Sequence, residues 1–191
     1  QRGLIQKRKV FNDNPVGTRG LVFNTREAPY DDIRMRKALT LLLNRKLIIE
    51  KLYFNEPLPL YSHYAGLYEN PNNPKNEYNP QEALRLLGEA GWKGRDARGQ
   101  LVNDGRPLTV ELLYSQKEQE PFLTTYQDDL RKVGIGLNLR LVTPETRFAL
   151  IMERKFDLVS LGWTGLVFPN PETSVSSKLA DVNNTNNVDG I

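Results

Sequence analysis

The residues that could do chemistry are few. His63 is the only histidine and the chain has no cysteine, so a thiol nucleophile, thiolate metal ligation and any two-histidine metal site are excluded by count. A single imidazole in the tyrosine-rich stretch Tyr61-Ser62-His63-Tyr64 reads as structural or exposed rather than catalytic. Asp31-Asp32 and Asp128-Asp129 are adjacent carboxylates, the residue type that general acid–base work uses. The first pair, however, directly precedes a helical pattern, where carboxylates cap, and the second falls on what reads as the polar face of a helix. No glycine-rich loop followed by Lys-Ser or Lys-Thr is present to cradle phosphate. The residues offer no candidate for catalysis, and the reading is not an enzyme, with no metal and no cofactor.

What the chain does offer is a place for a ligand. Phe156-Asp157-Leu158-Val159-Ser160-Leu161-Gly162-Trp163-Thr164-Gly165 is a short apolar strand that runs into a Gly-Trp-Thr-Gly turn. Open α/β sheets bind small molecules in the crevice beyond the carboxyl ends of their strands, where loops expose backbone groups.

Elements to position that block can be read from the punctuation. Segments 7–12 and 20–24, separated by Asn14-Pro15-Val16-Gly17, predict a hairpin or the start of a ladder. Asp31 and Asp32 introduce a helix with Ile33, Met35, Ala38, Leu39 and Leu42 at helical spacing, followed by another turn or two over 47–52. The proline-, asparagine- and tyrosine-rich stretch 55–79 predicts a long irregular loop. Asn79-Pro80-Gln81-Glu82 is a strong helix start, with Asn at the N-cap, Pro at N1 and Glu able to reach back to the cap amide. That helix should end at Gly91. Residues 93–106 read as an exposed hairpin or loop around Leu101-Val102. Then come a strand over 108–114, a helix over 121–133 with Phe122, Tyr126, Leu130 and Val133 on one side, and a strand over 135–142. A helix from Thr143-Pro144-Glu145 and the strand over 156–161 follow. This alternation predicts parallel pairs with right-handed crossovers, and a central, buried 156–161 strand. From 169 onward Asn, Ser, Thr and Asp dominate, too little apolar area to fold unaided, so 169–191 reads as a loop or frayed tail.

Composition bounds the class. With 191 residues, 39% hydrophobic and 26% charged, the chain can bury one substantial core and reads as a single lobe over 1–191. Lys and Arg number 26 against 23 Asp and Glu, a net charge of +3, interspersed in a way that does not suggest a nucleic-acid surface. The one dense basic run, Lys7-Arg8-Lys9, reads as a solvated edge. No segment approaches the roughly 20 apolar residues of a membrane-spanning helix. The absence of cysteine leaves the compartment open, and a start at Gln1 without a signal-peptide pattern reads as a processed start or an internal piece.

The ordered set Asp31-Asp32-Ile33-Arg34-Met35-Arg36-Lys37-Ala38-Leu39, Tyr53-Phe54, Tyr78-Asn79-Pro80-Gln81-Glu82-Ala83, Leu86-Leu87-Gly88-Glu89-Ala90-Gly91-Trp92, Gly134-Ile135, Phe156-Asp157-Leu158 and Gly162-Trp163 resembles the family 5 extracellular solute-binding proteins. These are the peptide and dipeptide receptors of bacterial ABC importers. The Tyr61-Ser62-His63-Tyr64 loop and the Gly99-Gln100-Leu101-Val102-Asn103 segment look most like the oligopeptide and murein-peptide branch. The resemblance implies a mixed-sheet α/β lobe of the type II periplasmic-binding-protein-like fold. This chain would be most of the second lobe of a two-lobed, hinge-closing receptor, placed in the periplasm or on the extracellular face of the membrane. The partners implied are a peptide or peptide-like ligand, the importer's membrane subunits and the missing first lobe, with no nucleic acid.

By the same resemblance Thr164 and Gly165 would pair with the ligand main chain, Trp163 would line the pocket, and Tyr61 and His63 would lie near the ligand. Many family members have an aspartate where this chain has Leu166, a carboxylate that captures the ligand amino terminus. The leucine implies a preference for ligands without a free α-amino group, unless Glu172 supplies the acid. The alternative is a ligand-sensing module of a transcription regulator, in which the same fold occurs.

Overall fold

The computed structural model describes residues 8, 10, 17–62, 70–164 and 170–188. The strand expected over 7–12 and its turn fall mostly outside them. A four-stranded sheet in the order β1-β7-β5-β6 forms the centre, built from β1 (Thr18–Phe23), β5 (Thr109–Tyr114), β6 (Gly136–Leu141) and β7 (Leu158–Trp163). β5 is parallel to both β6 and β7, as strand-helix-strand alternation requires. β1 is antiparallel to β7, with Thr18 opposite Trp163 and Phe23 opposite Leu158. Its partner among the described strands therefore lies far downstream in the chain, and is not a hairpin neighbour.

Four helix starts are capped by a side chain close in sequence. The Asp32 side chain accepts the Arg34 N–H ahead of α1 (Ile33–Leu41), and Asn44 accepts the Leu47 N–H ahead of α2 (Arg45–Leu52). Asn79 accepts the Glu82 N–H ahead of α3 (Pro80–Glu89), and Thr143 accepts the Thr146 N–H ahead of α5 (Pro144–Met152). Both of the latter helices place proline in the first turn, where its missing N–H costs nothing. The Glu82 carboxylate does not return to the cap amide; it binds Arg85 at 2.6 and 2.7 Å. α4 (Glu120–Lys132) ends at Gly134, whose φ of +88° and close approach to the Gly99 carbonyl, 2.6 Å from where a Cβ would stand, both demand glycine.

The sheet is buried on both faces. Leu112 and Leu158 point to the larger cluster with Met35, Leu39, Leu87, Leu123 and Tyr126, under α1, α3 and α4. Leu113 and Val159 point the other way, to Ile151, Phe156 and Val188. Continuous apolar runs in β5 and β7 follow from that double burial, and truncating Leu112 or Leu158 would cost about 2–5 kcal/mol.

Four details differ from the sequence reading. Gly162 and Trp163 belong to β7 and not to a turn, because β1 continues to pair with them. Asp129, expected on a polar face, is 2% exposed on the same stripe of α4 as Leu123, Tyr126 and Leu130. Its burial is made tolerable by Lys132, whose ammonium lies 2.7 Å away. The 93–106 region is the expected hairpin around Leu101-Val102, but widened to a small sheet of β2 (Gly94–Arg95), β3 (Leu101–Asn103) and β4 (Arg106–Pro107) and anchored by buried Leu101, whose N–H binds Gly134 O at 2.7 Å. The polar tail carries α6 (Glu172–Val175) and a short 3-10 turn, and it buries Asn187 and Val188 completely or nearly so. Arg26 holds it by donating to the carbonyls of Asn187 and Val188 at 3.2 and 3.4 Å.

Candidate functional site

The carboxyl ends of β5, β6 and β7 and the amino end of β1 meet at one end of the sheet. Two adjoining clefts open there and share Thr18, Arg19 and Trp163. The first, about 410 Å³, runs along the outer edge of β1 and is closed by Arg36, Arg45, Tyr61 and Asn76. The second, about 400 Å³, is framed by Gln116, Gln119, Arg147, Ser160 and Thr164. A larger cleft of about 740 Å³ lies at the amino end of β5, beside Asp31, Asp32, Asp104 and Arg106. The position at the carboxyl ends of parallel strands is where open α/β sheets bind ligands, so the first two clefts define the candidate site.

Trp163 is placed by strand register. It is the last residue of β7, half-buried, packed on the Ile151 and Phe156 cluster, and it presents its remaining surface to both clefts. Thr164 follows, exposed and outside the strand.

Tyr61 is held from two sides. Asn73 Nδ2 donates to its carbonyl at 3.0 Å, and the Arg45 guanidinium lies over its ring, 5.0 Å from the centroid. Arg45 is itself fixed by donating to Leu60 O at 3.2 Å, Lys75 O at 2.6 Å and Asn76 O at 3.0 Å. Lys75 adds a second cation 5.9 Å from the same ring, a stacking arrangement worth about 0.5–1 kcal/mol per pair where exposed. Residues 60–61 and 75–76 are thus stapled to the start of α2, and Tyr61 faces the β1 edge.

Arg147, in the first turns of α5, donates to Ser160 O at 2.7 Å and so ties α5 to β7 beside the second cleft. Burial pushes its guanidinium below the usual value, though arginine remains charged throughout the working range. No aspartate or glutamate lines either cleft among the described residues, whereas Arg19, Arg36, Arg45 and Arg147 do.

Of the residues singled out in the sequence, the structure brings Trp163 and Tyr61 into one cleft and places Thr164 on the rim of the other. Glu172 is exposed in α6 and lines neither. Gly165, Leu166 and His63 lie outside the described residues. Sequence reasoning missed Arg45 and Arg147. Both carried a signal: each is a cation in the opening turns of a helix, where the macrodipole favours an anion.

A mixed α/β lobe with a polar, cationic crevice at the ends of its parallel strands is the architecture of a solute-binding protein, with the type II periplasmic-binding-protein-like fold. Residues 3–186 match the bacterial extracellular solute-binding proteins, family 5 Middle, and the chain belongs to that family. It is 28% identical over 174 residues to the oligopeptide-binding protein AppA of Bacillus subtilis, covering 85% of this chain and 31% of AppA. To the periplasmic oligopeptide-binding protein OppA of Salmonella typhimurium it is 27% identical over 170 residues, 84% of this chain and 29% of OppA. The solved structure of Bacillus subtilis AppA in complex with a nonapeptide superposes with a TM-score of 0.82 at 26% identity, covering 92% of this chain and 36% of AppA. The chain thus spans about a third of the length of these relatives.

Proposed function

We propose that this chain is most of the second lobe of an ABC importer's solute receptor, and that it captures extended peptides or peptide-like solutes for import without chemically altering them. The observation that carries this reading is the position of Trp163, shared by two clefts at the carboxyl end of the parallel strands. A peptide laid there meets the strand end at Trp163 and Thr164 and the outer edge of β1. Backbone pairing of that kind supplies affinity without demanding one sequence, while pockets such as that under Tyr61 tune side-chain preference. The names of the relatives, oligopeptide-binding proteins in both reported cases, support the ligand class.

On this reading a first lobe closes over the ligand, and importer membrane subunits receive the closed form at the periplasmic or extracellular face. Trp163, Thr164 and Tyr61, with Gly165, form this lobe's half of the site. His63 and Leu166 contribute at its margins, with Leu166 in place of an amine-binding acid, whereas Glu172, which lines neither cleft, supplies no such acid.

The test is to release and identify, by mass spectrometry, whatever co-purifies with the two-lobed protein. Short peptides at near-stoichiometric amounts are expected. A stoichiometric load of a non-peptide solute, with no peptide bound on titration, would overturn the reading.

A further inference from the structure

Beside the first cleft lies a groove of about 480 Å³, lined by Leu21 of β1, Ile48 and Ile49 of α2, Phe122 of α4, and Tyr53 and Leu58 beyond α2. Leu21 and Phe122 pack against the larger core cluster but are only partly buried by it, while Tyr53 is 41% and Leu58 82% exposed. The hydrophobic core thus reaches the surface here without a cover. An apolar concavity of this kind marks a binding surface, because apolar area left in water forgoes the gain of burial.

The polar groups at its wall do not define a charged ligand. Arg45 is committed to three carbonyls and to the ring of Tyr61, and Ser160 O accepts from Arg147. Among the described residues no aspartate, glutamate or lysine lines the groove. Arg19 is exposed, so its charge stays in water while its methylenes cover apolar surface.

The occupant follows from strand alternation. Arg19 and Leu21, two residues apart on β1, line both the groove and the first cleft, and Leu60 is shared as well. A peptide paired along the outer edge of β1 turns every second side chain toward the face that carries the groove.

We propose that the groove is a side-chain subsite for one bulky apolar residue of the bound peptide, aromatic or branched aliphatic, so that the receptor selects peptides carrying such a residue at a fixed position. The inference rests on the peptide-binding reading above and narrows its ligand class.

Calorimetry on the two-lobed protein compares pentaalanine with pentapeptides carrying Phe, Leu or Gln at each position in turn, Gln serving as the polar control for size. At one position, and only there, Phe and Leu are expected to exceed both Ala and Gln by about tenfold or more in affinity. In Leu58→Asp, a change at an exposed position that spares the core, that ratio is expected to fall to about threefold or less. On the wild type, a diazirine analogue of leucine at the favoured position should crosslink on illumination to residues within 43–60 or to Phe122, as located by mass spectrometry, so the assignment does not depend on a variant. Equal binding of all the peptides overturns the subsite, leaves the peptide reading intact and gives the groove to a protein surface such as the first lobe. An unchanged ratio in folded Leu58→Asp, or crosslinks confined to residues outside the groove, overturns it as well. Failure of every peptide to bind overturns the peptide reading, and the subsite with it.

Discussion

The Tyr30 hydroxyl donates to Asp157 Oδ2 at 3.2 Å, and the same oxygen accepts the Glu111 N–H at 3.1 Å. The Asp157 carbonyl in turn accepts the Asn24 N–H at 3.0 Å. One aspartate just ahead of β7 therefore joins the segment before α1, the start of β5 and the end of β1. This junction fixes the register on which the position of Trp163 depends.

Burial first, and the Asp157 carboxylate second, hold the Tyr30 hydroxyl far above its ordinary pKa, and burial does the same for Tyr126, which donates to Leu39 O at 2.9 Å. An unfolded tyrosine ionises near pH 10, whereas these two stay protonated in the native state. Their contribution to stability is complete below about pH 10 and is lost as pH rises further. Denaturant titrations should show stability falling above that pH, with a shallower fall in Tyr30→Phe. At neutral pH Tyr30→Phe is expected to cost about 1 kcal/mol, the net worth of one hydrogen bond.

Asp129 and Lys132 make an asymmetric pair, the carboxylate buried and the ammonium largely exposed. Asp129 Oδ2 has no partner at all, so the carboxylate depends on the lysine. Lys132→Met is expected to destabilise by about 1–3 kcal/mol through the abandoned buried charge. Adding Asp129→Leu should recover most of that loss, since a packed apolar group often matches a buried pair. Thermal or denaturant melts of the single and double variants decide it.

Local chemistry was legible in the sequence and tertiary chemistry was not. Asn79-Pro80 and Asp32 were read correctly because an N-cap and a first-turn proline involve only residues within one turn. The Glu82 carboxylate was misassigned because Arg85, three residues on, competes for it, and spacing alone does not rank the two partners. β1 was read as a strand, but its pairing with β7 depends on a chain that returns long afterwards. Asp129 reads as solvated although Tyr126, Leu130 and Val133 are rightly placed on the buried side, because a carboxylate is assigned to the polar face by its residue type and its ion pair with Lys132 is not visible in the pattern. Trp163 reads from sequence as part of a turn because only the pairing with β1 carries β7 as far as that residue. Arg45 and Arg147 were missed because their roles arise only where α2 and α5 meet the loop around Tyr61 and the end of β7.

Trp163→Ala in the two-lobed protein removes the surface shared by both clefts. Peptide affinity should fall by about tenfold or more, roughly 1.4 kcal/mol, with the melting behaviour changed less than for Leu158→Ala. Calorimetry beside a melt separates loss of contact from loss of fold.

The 191-residue chain alone carries one side of the proposed clamp. Ordering a flexible peptide costs about 0.5–1.5 kcal/mol for each immobilised side chain, with only half the contacts to offset it. Titration with a peptide panel should show dissociation constants no tighter than about 100 μM, or about 5.5 kcal/mol of binding free energy. Submicromolar binding would contradict the need for a second lobe.

The most direct test of where the ligand sits is amide hydrogen exchange on the two-lobed protein, free and saturated with a peptide whose binding calorimetry has established. Slowed exchange is expected along β1 over 18–23, at Trp163 and Thr164, and around Tyr61, with the small β2–β4 sheet unchanged. Protection confined to that sheet and the cleft beside Asp31 and Asp104, with β1 and the end of β7 unaffected, would contradict a site at the carboxyl ends of the parallel strands.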